Sequence, residues 1–231
     1  MGAGMRGITR SAVPGPPGDG SAAERTVGLL DLRGRPGLAT VLHYPADAVV
    51  VVSGLPGSGK STLLRRWSDT VRVVDPRDVH EACEAVMPER LPYGVYRPWA
   101  RLVHLRWLRA GVRGGGPLLV HDCGSRPWLR RWLARGAARQ GRELHLVVLD
   151  VGRTEALNGQ QARGRWAPRR TFDRHCAGLG RLLDALTPGG PAATAVPVPD
   201  AVAEATSVVL LDRSSRAHVT ARFGAPADPT G

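Results

Sequence analysis

Short apolar runs recur through the middle of the chain, and most end on an acidic or small polar residue. They occupy 48–53, 71–75, 118–122, 144–150 and 207–211. Each has the length of a buried strand and is bounded by turn residues. The stretches between them carry apolar positions at helical spacing. The helix over 60–68 places Leu63, Leu64 and Trp67 on one face. That over 97–112 carries Trp99, Leu102, Val103, Leu105, Leu108 and Ala110. That over 127–139 aligns Leu129, Trp132, Leu133 and Ala137, with Arg130, Arg131, Arg135 and Arg139 turned outward. A further helix spans 171–186. Strands alternating with helices imply an α/β fold in three layers, a parallel sheet of five strands joined by right-handed crossovers with helices on both faces.

The ends of the chain read differently. Residues 1–25 are rich in Gly, Pro, Ser and Ala, a composition that suits a disordered leader. Within 26–46, the stretches 27–31 and 38–43 flank a turn-rich segment and are expected to form a hairpin at the sheet edge. The main domain is expected over 47–213, with a fraying tail over 214–231. At 231 residues the chain is long enough for one α/β domain. No apolar run reaches the roughly 18 to 20 residues of a membrane helix, and no secretory signal is evident. Cys83, Cys123 and Cys176 lack metal-ligand spacing and do not make a disulfide framework, which suits a reducing cytoplasm.

The formal charge of +12 raises nucleic acid as a partner. It is not favoured, because the basic residues are almost all arginine and Lys60 is the only lysine among the 32 basic residues. The composition suggests a drift toward arginine wherever it can stand in for lysine. The surviving lysine therefore marks a place where a compact ammonium on a thin stem fits and a broad guanidinium does not.

Lys60 stands in Gly54-Leu55-Pro56-Gly57-Ser58-Gly59-Lys60-Ser61, followed by Thr62, which matches the phosphate-loop pattern at every fixed position. The valine run 49–52 supplies the strand this motif needs before it, and 61–64 starts the helix it needs after it. Glycines let successive N–H groups turn toward one anion, and the helix N-terminus adds partial positive charge. Lys60 should reach the β- and γ-phosphates of ATP, and Ser61 should offer its hydroxyl to Mg²⁺.

Acids stand at or just past several strand ends, where open parallel sheets bind ligands: Asp75, Asp122, Asp150 and Asp212. Each could equally be a turn or cap residue. Asp122, at the end of an apolar strand, is the candidate to orient Mg²⁺. Asp75, with Asp78 close behind, is the candidate to take the proton of a hydroxyl acceptor. Past 144–150, a helix breaks into a Gly/Pro loop loaded with arginine. Arg163 and Arg165 are the candidates to clamp the transferring phosphoryl group and close a lid.

These segments resemble a group of small kinases that includes the polynucleotide 5′-hydroxyl kinase domain, the chloramphenicol phosphotransferases and the zeta-toxin-like kinases. The resemblance spans about 47–213. It rests on Gly54–Thr62, on Leu118-Leu119-Val120-His121-Asp122-Cys123-Gly124-Ser125-Arg126, and on Leu146–Val151 followed by Ala156-Leu157 and Arg163-Gly164-Arg165. It implies an adenylate-kinase-like core, ATP with Mg²⁺, and γ-phosphoryl transfer to a hydroxyl of a small molecule or a nucleic-acid end. By the same likeness Asp75 or Asp78 is the substrate-activating acid, Arg163 a lid arginine, and Arg126 a contact to substrate or phosphate. Many members carry an arginine four residues before the lid arginine, where this chain has Gly159. A second reading is an ATPase or nucleotide-dependent switch that acts through a partner protein. The aromatic segment Tyr93 to Trp99, inside the long insertion 79–116, could line an acceptor pocket and favours the kinase.

Overall fold

The computed structural model describes residues 26–35, 37–68, 71–88, 90–164, 166–186 and 197–224. The leader expected over 1–25, Arg165 and the last residues of the tail lie outside that set.

The centre of the fold is β3 (Val49–Gly54), all six residues of which are buried. Valine on successive positions suits a strand covered on both faces, since each side chain finds an apolar layer whichever way it points. β3 pairs in parallel with β5 (Leu118–His121) and β6 (Leu144–Leu149). Outside these lie β4 (Arg72–Val74), on β5, and β7 (Ser207–Leu211), on β6. The five expected strands are all present. A sixth, β1 (Gly28–Asp31), extends the sheet beyond β7, so the order is β1-β7-β6-β3-β5-β4, all parallel.

The two faces of the sheet bury separate clusters. On one, Val49, Val51, Leu118, Val120, Leu146 and Val148 meet α3 (Tyr93–Arg113), α4 (Pro127–Ala138) and α6 (Arg169–Leu186) through Leu108, Leu129, Leu133, Phe172 and Leu179. On the other, Val50, Val52, Leu119 and Val147 meet α1 (Lys60–Trp67) through Leu63, Leu64 and Trp67. The remaining helices, α2 (Pro76–Glu84), α5 (Arg153–Gln161) and α7 (Arg213–His218), all begin just past strand ends at the carboxyl edge of the sheet.

Three expectations are corrected. No hairpin forms at the N-terminal edge. β1 pairs with β7 in the main sheet, and β2 (Thr40–Tyr44) pairs in parallel with β8 (Val219–Phe223) as a small sheet over the α1 face. The backbone groups of β7 would be an open edge without β1, and Leu42 and Tyr44 have a ready apolar layer in the α1 cluster. The chain after Arg216 does not fray at once: Val219 is fully buried, with Ala221 and Phe223 packed on the same cluster. Arg130, expected to face outward, is buried and paired with Glu204 at 3.3 Å.

Candidate nucleotide-binding site

The strand register gathers the functional residues. Val52 lies opposite His121, Val74 opposite Val120, and Gly54 opposite Leu149. The loop after β3 and the acids after β4 and β5 therefore emerge at one edge, where successive crossovers leave β3 in opposite directions. That is where a crevice opens in a parallel sheet.

The loop from Gly54 to Gly59 needs its glycines for two separate reasons. Gly57 and Gly59 have φ of 90° and 88°, in the left-handed region. There is also no room: a Cβ on Gly57 would lie 2.0 Å from the carbonyl oxygen of Ala156 in α5. The α1 helix has no side-chain cap, and of its first three N–H groups only that of Thr62 finds a backbone acceptor among the described residues, Gly59 O at 3.0 Å. Ser58 Oγ is buried without a partner. Unclaimed donors around a glycine cradle fit a bound phosphate chain.

Lys60 is 3% exposed and its Nζ donates to the carbonyls of Gly54 and Leu55, both at 2.7 Å. Burial pushes its pKa down, against the opposing charges of Cys123, Asp122 and Asp75. The ammonium thus holds the loop in shape and stands ready for an anion that would replace those carbonyls.

Asp122 follows β5 and is buried. It accepts from Gly124 N at 2.8 Å and from Ser53 Oγ at 3.3 Å. Asp75 follows β4 and caps α2 by accepting from Arg77 N at 2.9 Å. Its other oxygen lies 2.7 Å from His121 Nδ1. Burial alone would raise the Asp75 carboxyl, but the imidazole, the Arg77 N–H and Lys60 hold it below the ordinary range. Asp78, in the first turn of α2, is exposed. Partial burial and the nearby Asp75 and Glu81 raise its pKa. Ser61, Asp75, Asp78, His121, Gln160 and Arg163 border one cavity of about 850 Å³.

The α5 helix closes on the loop from above. Gln160 Nε2 donates to Pro56 O at 3.2 Å, and its Oε1 accepts from Ala167 N at 2.8 Å. Arg163 Nη2 lies 3.2 Å from Thr62 Oγ1, at the first turn of α1. A Cβ on Gly159 would lie 2.3 Å from Gly57 O. This explains the glycine where many of the resembled kinases have arginine: backbone packs on backbone here, and no side chain fits.

Three site residues were not singled out from the sequence: His121, Gln160 and Arg216. His121 reads as the near-apolar end of its strand, although its place just before Asp122 was a signal. Arg216 comes from α7, in the segment expected to be tail. Its guanidinium donates to Ser58 O and lies against Gly59. Asp150 and Asp212 are structural. Asp150 pairs with Arg33 at 2.6 Å. Asp212 caps α7 through Ser215 N at 2.8 Å and accepts from Gly34 N at 2.7 Å.

Among the described residues no group of three His, Cys, Asp or Glu side chains forms a metal cage. Mg²⁺ bound with a nucleotide asks for less, because phosphate oxygens and waters fill most of its shell. Ser61 and Asp122 fit that limited role.

The sequence profile of the AAA domain family matches residues 49–182, more than half of the chain. The chain belongs to this AAA domain family. The matched range includes Gly54–Ser61, Asp75, Asp122 and Arg163. No curated protein sequence matches the chain significantly. Solved structures similar to it include a chain of the PezAT toxin–antitoxin system of Streptococcus pneumoniae, at 13% identity and TM-score 0.44, with 62% of this chain and 63% of that one covered. This AAA domain protein thus spans less than two thirds of that chain's length. Shikimate kinase from Acinetobacter baumannii is 12% identical, covering 73% of this chain and 86% of its own, at TM-score 0.42. A gluconokinase from Sinorhizobium meliloti is 17% identical, covering 73% and 83%, at TM-score 0.38. The AAA domain family is one of P-loop nucleotide-binding proteins, and the geometry of the loop agrees with that.

Proposed function

We propose that this chain is an ATP-dependent phosphotransferase that moves the γ-phosphoryl group to a hydroxyl acceptor. The observation that carries the reading is the single cavity bordered by Ser61 of the phosphate loop, Asp75 with its His121 partner, and Arg163 of the lid. Asp75 and Arg163 border the same 850 Å³ of space as the phosphate loop, which leaves room for an acceptor beside the nucleotide.

ATP with Mg²⁺ supplies the transferable phosphoryl group and an electrophilic phosphorus. The chain's own residues do the rest. The loop N–H groups and Lys60 bind the β- and γ-phosphate oxygens, and Ser61 and Asp122 would hold the Mg²⁺ that neutralises their charge. Asp75 accepts the proton of the acceptor hydroxyl as its oxygen bonds to phosphorus, so the products are ADP and a phosphate monoester. His121 fixes the carboxylate, and its position favours the ionised form of Asp75 that a base requires. Arg163 neutralises charge on the transferring oxygens, and α5 excludes water from them. No helix of the described residues is long and apolar enough to cross a membrane. The free cysteines suit a cytoplasmic setting.

Labelled ATP, Mg²⁺ and a panel of metabolites, antibiotics and 5′-hydroxyl oligonucleotides give the direct test. A labelled phosphate monoester is expected. Steady ATP hydrolysis with no labelled product from any acceptor would turn the reading to a nucleotide-dependent switch.

A further inference from the structure

A second cavity, of about 390 Å³, opens between α2, α3 and the start of α4. Its walls are aromatic and basic: Tyr93, Arg97, Arg101, His104, Arg126 and Trp128. No acidic side chain lines it, and none of the three arginines has an ion-pair partner among the described residues. In this arginine-rich chain such a cluster would mean little by itself. Two further features point to a ligand. His104 is 9% exposed, and its Nδ1 is buried in the cavity wall with no hydrogen-bond partner. A buried polar nitrogen without a partner is costly unless something else meets it. The α4 helix, 12 residues long and without a side-chain cap, also starts at this wall. Pro127 has no N–H and Leu129 N donates to Arg126 O at 3.0 Å, so this terminus offers negative charge the Trp128 N–H and the helix dipole.

The cavity adjoins the reaction site. Pro76, which lines it, directly follows Asp75. His104 sits within electrostatic reach of Arg126, Asp122, Asp75 and His121. A molecule seated there could extend a hydroxyl past the first turn of α2 to Asp75.

We propose that this cavity is the acceptor subsite, and that it takes a small acceptor bearing an anionic group, a carboxylate or a phosphate monoester, held by Arg97, Arg101 and Arg126 over the His104 imidazole. As an acceptor subsite it rests on the kinase reading; as an anion site it does not. The volume suits a small molecule with one ring or a short chain, and Tyr93 and Trp128 offer flat surfaces for it.

The test uses the full chain saturated with a non-hydrolysable ATP analogue and Mg²⁺, so that the phosphate loop is filled. Benzoate, phenyl phosphate and neutral benzyl alcohol are titrated in turn by calorimetry. At least one anion is expected to bind on the order of tenfold more tightly than the alcohol, the worth of one charge-assisted hydrogen bond or more. Preference for benzoate or for phenyl phosphate tells a carboxylate acceptor from a phosphorylated one. Arg101→Gln and Arg97→Gln, both exposed and harmless to folding, should each weaken that anion by roughly tenfold and leave binding of the ATP analogue unchanged. Equal binding of the alcohol and both anions overturns the proposal, as does anion binding that survives the double variant. So does efficient transfer to acceptors that carry no charge. Anion binding that is lost in the variants, with no transfer to any acceptor, upholds the anion site and sinks the kinase reading alone.

Discussion

Gly159→Ala tests whether α5 and the phosphate loop truly pack backbone to backbone. Position 159 lies inside α5, where alanine is ordinarily better than glycine by up to about 1 kcal/mol. Helix propensity alone therefore predicts a more stable protein. Packing predicts the opposite. The added methyl would lie 2.3 Å from Gly57 O and 3.2 Å from the carbonyl carbon. No rotamer change relieves this, because the obstructing atoms are backbone. Overpacking of this kind costs about 1–3 kcal/mol, and the backbone contact puts it in the upper part of that range. Less the propensity gain, the net loss is about 1–2 kcal/mol.

A chain of this size loses about 2–4 °C of Tm per kcal/mol, so the variant should melt roughly 2–8 °C lower. The strain falls on the loop that binds phosphate, and ATP affinity should drop by about 5- to 30-fold if all of it appears there. Gly180→Ala is the internal control. It too is inside a helix, α6, but a Cβ there meets nothing within 4 Å, so that variant should gain about 0.5–1 kcal/mol. Thermal melting and titration with a fluorescent ATP analogue read both effects. If Gly159→Ala melts as high as Gly180→Ala and binds ATP as the parent does, the close contact of α5 with the loop is wrong.

Lys60→Ala should lower turnover by about 10²–10³-fold, the usual loss for one preorganised donor, while circular dichroism shows the fold retained; unchanged turnover would remove the phosphate loop from the reaction. Asp75→Asn should reduce transfer by about 10²–10⁴-fold with ATP binding kept, and if Asp78→Asn alone behaves this way the base is Asp78. Acid should destabilise the fold through Asp212, Asp31 and Asp75, whose folded pKa values lie below the ordinary carboxylate value. At Asp212, burial works to raise the pKa but is outweighed by Gly34 N–H, Ser215 N–H and the Ser214 and Ser215 hydroxyls. The stability such a group contributes is full above its unfolded pKa of about 3.9 and is lost as the pH falls toward the folded value. Melting followed from pH 5 down to 2 should show a steeper fall for the parent than for Asp212→Asn, and equal slopes would deny Asp212 its role.

The residues that could be read in advance are those whose meaning is local. Val49 to Val52 demand two apolar layers wherever the chain places them. The glycine spacing around Lys60 demands an anion-sized turn. Asp75 and Asp122 inherit their positions from the strands they terminate. What escaped depends on partners far along the chain. The stretch 28–31 is equally apolar whether it pairs with 40–44 or with 207–211, and only the open edge of β7 decides between them. Val219, Ala221 and Phe223 do alternate as a strand should, but five residues in a tail of small residues gave the period little weight. Arg216 reaches the phosphate loop from 158 positions away, and among so many arginines nothing marked it.

Those arginines also bear on the charge of +12. A polyanion-binding surface would leave its guanidinium groups free, yet several here are turned into the protein. Arg142 is 5% exposed and donates to the carbonyls of Asp47, Gly111, Val112 and Gly116. One side chain thus ties the turn before β3 to the end of α3 and to the segment entering β5. Arg66 likewise gathers the carbonyls of Arg216, Ala217 and Val219, fastening α1 to the small second sheet. Lysine could not replace either, because a guanidinium spreads five donors over a plane and an ammonium offers three from one point. A part of the positive charge is therefore a by-product of carbonyl cross-linking rather than a footprint of nucleic acid. Lys60 is the converse case, an ammonium enclosed by the loop whose single point of charge serves two converging carbonyls.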